Sequence, residues 1–397
     1  MPSAHRLTWT AAAGLAAIVV GGCGSSSSSS SGAAGTGGGS NLPSSLTIGA
    51  PLDISGSASV ASVGGPEQEG EQLAVDEVNS SGFLGNTKLS LKVVDTQADK
   101  ALAVQTLTDM TSRNKVDGIV GFTLTPSFLA AGPLAQKAQI PTITVDLSGT
   151  GITEVGDYIF RISPALQTLY QKNDLTIANA LKAKTAAYIF SSDSSNTVGQ
   201  KDFRKQLLEG AGIKTVAEQG VTAKDIDYQK QLTTIKSANP DVLVIDILGG
   251  QDPTLAKQVQ QAGLTTNMMA DVGWNSPGVL SQAGASCTIF STVWDPSIST
   301  GRNQHFLTLY NQKYSKAPSQ YSAWGYDGVW AYATAVKNAG AADGPSVQKA
   351  LAGLTNFDGT LGTYGFGSDR APTVPGLTLQ IQGGKAVTWT PTTTCTR

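Results

Sequence analysis

Five aspartates stand at the ends of short apolar runs: Asp53, Asp95, Asp146, Asp246 and Asp271. A carboxylate at the end of a buried strand does one of two jobs. It faces a ligand cleft, or it caps the turn or helix that follows. The sequence leaves both readings open for each of the five. Two hydroxyl clusters occupy similar places. Thr123, Thr125 and Ser127 follow Gly121, and Ser148-Gly149-Thr150 follows the run ending at Val145. Hydroxyls beside the amides of a helix start can hold an anion or a polar oxygen. Serine and threonine there are also ordinary helix caps.

Motifs for covalent or metal chemistry are missing. There is no Gly-x-Ser-x-Gly elbow, no His-Glu-x-x-His helix and no Gly-x-x-x-x-Gly-Lys loop. Histidine occurs only at His5 and His305, which argues against a histidine metal site and against histidine acid-base work. The formal net charge is -2, with no basic stripe. Nucleic acid is therefore not an expected partner, and no cofactor is expected.

Cys23 closes an apolar run that starts near Ala11 and follows Arg6. A basic start, a short apolar stretch and small residues at a cut site read as a secretory signal over residues 1–22. The Val20-Gly21-Gly22-Cys23 segment resembles a bacterial lipoprotein signal, which implies lipidation of Cys23. The alternative is an uncleaved anchor, for which the run is short against the roughly 20 residues a spanning helix needs. Gly24 to Ser40 is almost wholly Ser, Gly and Ala, which reads as a flexible tether over residues 23–45. Beyond Cys23 only Cys287 and Cys395 remain. In an exported domain such a pair reads most simply as a disulfide, with two free thiols as the alternative.

After the tether, strand and helix patterns alternate. The first strand is expected near Leu46–Ala50, with a Gly/Ser loop from Ser55 to Gly65 and a helix opened by Pro66. Buried runs follow at Gly118–Gly121, Ile140–Val145 and Tyr158–Ile162. The pattern then restarts through Ala186–Phe190, Ile213–Glu218, Val242–Asp246 and Met268–Ala270. Helices of ordinary length between such strands imply parallel sheets covered on both faces. The fold class is α/β, with two doubly wound, Rossmann-like lobes. Ligands in such folds bind beyond the carboxyl ends of the strands, so facing lobes make a cleft. Phe306, Tyr310 and Trp330 repeat at helical spacing and read as core. Leu377–Ile381 and Ala386–Trp389 read as a hairpin around Gly383-Gly384.

The order of several segments adds a specific resemblance. Leu46 to Gly56, Gly70 to Asn79, Gln139-Ile140-Pro141, Gln261 to Leu264, Gly273 to Pro277 and Ala323 to Asp327 resemble successive landmarks of the branched-chain amino-acid-binding family. These are type I periplasmic binding proteins, the solute receptors of ABC importers. The resemblance implies a carboxylate contact at Thr125 and an ammonium site at Asp146 and Ser148. It places an acidic contact from the second lobe at Val272 or, one residue shifted, at Asp271. It sets the positions that cover the ligand side chain near Val63, Val198 and Gln251, where family aromatics are replaced by aliphatic or polar residues.

The expected protein is a lipid-anchored, extracytoplasmic solute-binding protein, monomeric and not an enzyme. It would trap a small polar solute (an amino acid, amide or carboxylate) and deliver it to ABC permease subunits. Lobe 1 would comprise residues 46–163 and 297–366, and lobe 2 residues 164–296 and 372–391. Crossing strands are expected near Ser163, near Asp295 and between Phe366 and Pro372. A sensory receptor for a signalling partner is the alternative of a different class, and an exported enzyme is a third.

Overall fold

Local chemistry sets the first helix. In the computed structural model, which describes residues 42–147 and 149–395, β1 (Ser45–Leu52) leads into α1 (Ala58–Ser81). The sequence suggests a helix opened by Pro66, but Pro66 lies inside α1. Ser57 is the N-cap, and its hydroxyl accepts from the Val60 amide at 3.3 Å. Capping upstream and burial of Val60 and Val63 offset the interior proline, which costs about 3 kcal/mol or more. The expected loop is therefore mostly helix. This brings Val63 toward the centre of the molecule.

The first half continues through β2 (Lys88–Asp95), α2 (Lys100–Thr108), β3 (Gly118–Gly121), α3 (Thr125–Lys137), β4 (Thr142–Thr144) and β5 (Ile159–Arg161). A π-helical turn, Asp109–Arg113, extends α2. The second half begins with α4 (Leu166–Ala180), β6 (Thr185–Ser191), α5 (Ser195–Gly210), β7 (Lys214–Val221), α6 (Gln229–Ala238) and β8 (Val242–Asp246). It goes on through α7 (Asp252–Gln261), β9 (Asn267–Ala270), α8 (Pro277–Leu280) and β10 (Ile289–Thr292). Then come α9 (Gly301–Tyr314), α10 (Gln320–Ala339), α11 (Gly344–Ala352), β11 (Phe357–Gly359), β12 (Gly362–Tyr364), β13 (Leu377–Gln382) and β14 (Lys385–Thr388).

Two large sheets result. One has the order β2-β1-β3-β4-β5 and is parallel throughout. The other has the order β14-β13-β10-β9-β8-β6-β7. It is parallel except where β13 pairs with β10 and β14. The β13–β14 hairpin turns at Gly383 and Gly384, both at positive φ, as the glycine pair suggests. β10 and the small β11–β12 ladder were not legible as strands in the sequence. Cys287, just before β10, is bonded to Cys395 near the chain end, with Cα atoms 5.6 Å apart.

The densest packing joins α1 to α10. A β-carbon on Gly70 would stand 1.9 Å from the Ser322 carbonyl oxygen, and one on Gly325 would stand 2.4 Å from that of Glu67. The two helices therefore touch backbone to backbone, which only glycine permits. The core on that side gathers Leu46, Ile48, Val120, Ile143, Trp324 and Tyr326. Phe306, Tyr310 and Trp330 belong to the same core, as their spacing implies. A second core under the other sheet includes Ile189, Leu243, Ile245, Leu255 and Trp274.

Candidate functional site

A cavity of about 80 Å³ lies where the carboxyl ends of strands from both large sheets meet. From the first sheet come Thr123, Leu124 and Thr125, after β3, and Asp146, after β4. From the second come Ile247, Leu248 and Gly249, after β8, and Asp271, Val272 and Gly273, after β9. Ser194, Asn196 and Thr197 enter from the start of α5, and Val60 and Val63 from α1. The aromatic ring in the wall is Tyr321, at the start of α10.

The five strand-end aspartates divide between the two jobs open to them. Asp53 is buried and accepts from the Thr96 hydroxyl and from the Ala98 amide at 2.8 Å. Asp95 accepts from the Ile54 amide at 3.1 Å and from the Ser55 side chain. Both tie loops together. Asp246 is fully buried and accepts from Arg204 Nη1 at 3.0 Å, while Arg204 Nε donates to Asp174 at 2.7 Å. That triad lies inside the second lobe. Asp146 and Asp271 line the cavity. Asp271 also caps a short 3-10 turn, accepting from the Gly273 amide at 2.8 Å.

Thr125 opens α3, whose first turn has no side-chain cap, and Pro126 follows it. Thr123 does not offer its hydroxyl proton to the cavity. It donates to Glu67 Oε2 at 2.6 Å and accepts from the Asp53 amide at 3.1 Å. Burial pushes Glu67 up to about 8, against the opposing pull of that hydrogen bond. Desolvation likewise raises Asp146, helped by the charges of Glu67 and Asp271. It raises Asp271 to about 8, with Asp246 adding to the effect. Arg161 opposes the rise at Asp146 by its charge without overcoming it. Its guanidinium donates to the carbonyls of Leu147, Gly149 and Ser163, the last at 2.6 Å.

Of the residues the sequence proposes, Thr125, Asp146, Val63 and Asp271 come together at the cavity, with Val272 beside Asp271. Ser148 and Cys23 lie outside the described residues. Two of the expected positions fall off the cavity wall, though near neighbours of each line it. Gln251 is buried and does not line the cavity. Its carbonyl oxygen accepts from Ser191 at 2.8 Å, and its amide nitrogen donates to the Thr222 carbonyl at 2.8 Å and to the Tyr228 hydroxyl at 3.0 Å. The 3-10 turn Gly249–Gln251 sends the glycine to the cavity and the glutamine into the lobe. Val198 is also off the wall, to which this end of α5 sends its N-cap Ser194 and the first-turn residues Asn196 and Thr197. Sequence reasoning missed Tyr321, whose signal was its place at the start of a long helix of otherwise core-like aromatics.

Parallel-sheet lobes that meet over a cavity at their strand ends define a binding protein of the two-lobed α/β class. The family model described as periplasmic binding protein matches residues 45–385, and the chain belongs to that family. It is 26% identical over 225 residues to an amino acid binding protein of Pseudomonas aeruginosa, covering 56% of this chain and 60% of that relative. A leucine-, isoleucine-, valine-, threonine-, and alanine-binding protein of the same organism is 25% identical over 312 residues, covering 77% of this chain and 82% of the relative. The branched-chain amino acid transporter substrate-binding protein of Streptococcus pneumoniae, solved with isoleucine, superposes with a TM-score of 0.78 at 26% identity. That match covers 86% of this chain and 97% of the other. The chain is thus a binding protein rather than an enzyme.

Proposed function

We propose that this chain is the extracytoplasmic solute receptor of an ABC importer, held to the membrane by a lipid on Cys23. It captures a small polar solute between its lobes and presents it to permease subunits. The observation that carries the reading is the shared cavity, to which each sheet contributes strand-end polar groups: Thr125 and Asp146 from one, Asp271 from the other. A ligand touching both sides stabilises the closed arrangement by its differential affinity for it. Thr125 offers a hydroxyl to a polar oxygen of the solute, while Asp146 and Ser148 take its nitrogen end. The named amino-acid receptors among the relatives support a solute with that polarity.

A thermal-shift panel of small solutes, followed by calorimetry, tests this. Thr125→Val keeps the shape and removes the hydroxyl, so affinity for the best solute should fall tenfold to a hundredfold, or about 1.5 to 3 kcal/mol. Unchanged affinity in a folded Thr125→Val protein and in Asp146→Asn would place the ligand elsewhere. The anchor has its own check. Cys23→Ser should release the protein from membranes or leave it as precursor, and normal membrane fractionation of a matured variant would overturn the lipid.

A further inference from the structure

The cleft holds a second chamber. It has a volume of about 150 Å³, against about 80 Å³ for the central cavity, and it too is lined from both halves of the molecule. The first turns of α3 and the loop after β4 form one side, through Leu129 and Thr150. The first turns of α4 and α5 form the other, through Gln167, Ser195 and Gly199. Thr125, Asn196 and Gln200 line both spaces, so the two adjoin. Asp146 and Asp271 belong to the central cavity alone. The larger of these two adjoining spaces thus lies beyond Thr125.

Gly149 marks the junction. A β-carbon there would stand 3.1 Å from Thr125 Oγ1 and 3.2 Å from Asn196 Oδ1, two of the residues that the chambers share. A side chain at this position would crowd the passage, and glycine leaves it clear.

The second chamber is polar and uncharged. Its polar side chains are carboxamides (Gln167, Asn196, Gln200) and hydroxyls (Thr125, Thr150, Ser195), and among the described residues no charged group lines it. Arg161 meets Gly149 at its carbonyl, at 2.9 Å, and is not part of the wall. The Tyr170 hydroxyl donates to Gln200 Oε1 at 3.3 Å and holds that carboxamide in place. Carboxamides and hydroxyls both give and accept hydrogen bonds. An apolar tail entering here would displace their water and return no bond. A charged tail would leave water without meeting an opposite charge. A neutral tail that itself donates and accepts replaces what the water supplied.

We propose, on the reading that the cleft binds a small solute, that this chamber is a second subsite and that the solute is two-ended. Its head sits in the central cavity. An uncharged tail of carboxamide or ureido type extends past Thr125 among Gln167, Asn196 and Gln200.

Calorimetry on the purified mature protein tests this with amino acids that share one head and differ in the tail: norleucine, glutamine, citrulline, glutamate and ornithine. Glutamine or citrulline should bind about tenfold or more tighter than the other three. Gly199→Leu fills the chamber. A β-carbon there meets nothing within 4 Å, and the position is helical, so the fold should survive. In that variant glutamine and citrulline should fall to within about twofold of norleucine. Gln167→Leu, which removes one carboxamide, is the second variant if the first does not fold. Norleucine, glutamate or ornithine binding as tightly as glutamine and citrulline would overturn the subsite. So would a tail preference that the folded variants keep. If none of the panel binds while another small solute does, and that solute loses affinity in Thr125→Val, the subsite falls and the receptor reading stands. If no solute binds at all, both fall.

Discussion

The Tyr321 hydroxyl presses on the backbone of Gly249: a β-carbon added to that glycine would stand 2.1 Å from the phenolic oxygen. Tyr321 belongs to the helix α10 that packs on the first sheet, and Gly249 follows β8 of the second. The contact therefore joins the two halves across the cleft. Gly249→Ala should force the ring aside and cost about 1 to 3 kcal/mol in the closed state, the usual cost of overpacking. Solute affinity should fall accordingly. Tyr321→Phe in the same chain removes the clashing oxygen and should recover part of the loss. An additive double mutant in calorimetry would show that the two residues do not communicate.

The Arg204 triad predicts a stability effect of a different kind. Arg204, Asp174 and Asp246 are all buried, with Arg204 over the Tyr170 ring at 4.4 Å. Arg204→Met would strand two carboxyls without their cation. Removing one member of a buried pair costs about 3 to 5 kcal/mol. Urea denaturation followed by circular dichroism should show a lower midpoint of that size. A midpoint within about 1 kcal/mol of wild type would mean the carboxyls are neutral or otherwise satisfied.

Glu67 gives the protein a pH dependence of defined sign. Its carboxyl is fully buried on α1 and pushed up to about 8 from 4.5 by desolvation. A raised carboxyl is bound to its proton more tightly in the folded state. Its contribution is complete below pH 4.5 and is lost as pH rises through 8. Glu71, one turn along, is raised in the same direction by burial and by Glu67. Thermal stability should therefore decline between about pH 5 and 8. Glu67→Gln carries no proton to lose and should make the decline shallower. A variant whose pH profile parallels wild type would refute the assignment.

The Cys287–Cys395 bond closes a loop of sequence separation 108 that includes the β13–β14 hairpin. Chain-entropy arguments give a loop of this length about 4 to 5 kcal/mol, and typical measured values are nearer 2 to 4. Reduction, or Cys395→Ser, should lower the melting temperature and loosen the hairpin edge first. Hydrogen exchange at Leu379 and Ile381 is the readout. Two alkylatable thiols in the oxidised protein would contradict the bond.

Much of this was written along the chain. Runs such as Val242–Asp246, apolar at successive positions, are buried on both faces, and only a covered parallel sheet accepts that pattern. Strand ends follow from the same runs, which marked all five aspartates and the hydroxyls after Gly121 as cleft or cap candidates. The family resemblance, not the runs, singled out Thr125, Asp146 and Asp271. The cysteine pair followed from compartment and count. Pro66 misled because a capping serine and buried valines upstream outweigh a single missing amide. Such a balance is energetic and has no local sign.

The remaining features exist only once distant elements meet. Five aspartates look alike in sequence, yet Asp53 and Asp95 bind loops, Asp246 pairs with Arg204, and only Asp146 and Asp271 reach the cavity. Which job each takes depends on partners brought in by other strands and helices. Gln251 turns inward because Ser191, Thr222 and Tyr228 satisfy its amide there. Tyr321 joins the site from a helix whose aromatics read as core. Periodicity reports which face of an element is buried. It carries no information about what is buried against that face, and the apposition of the two lobes decides that.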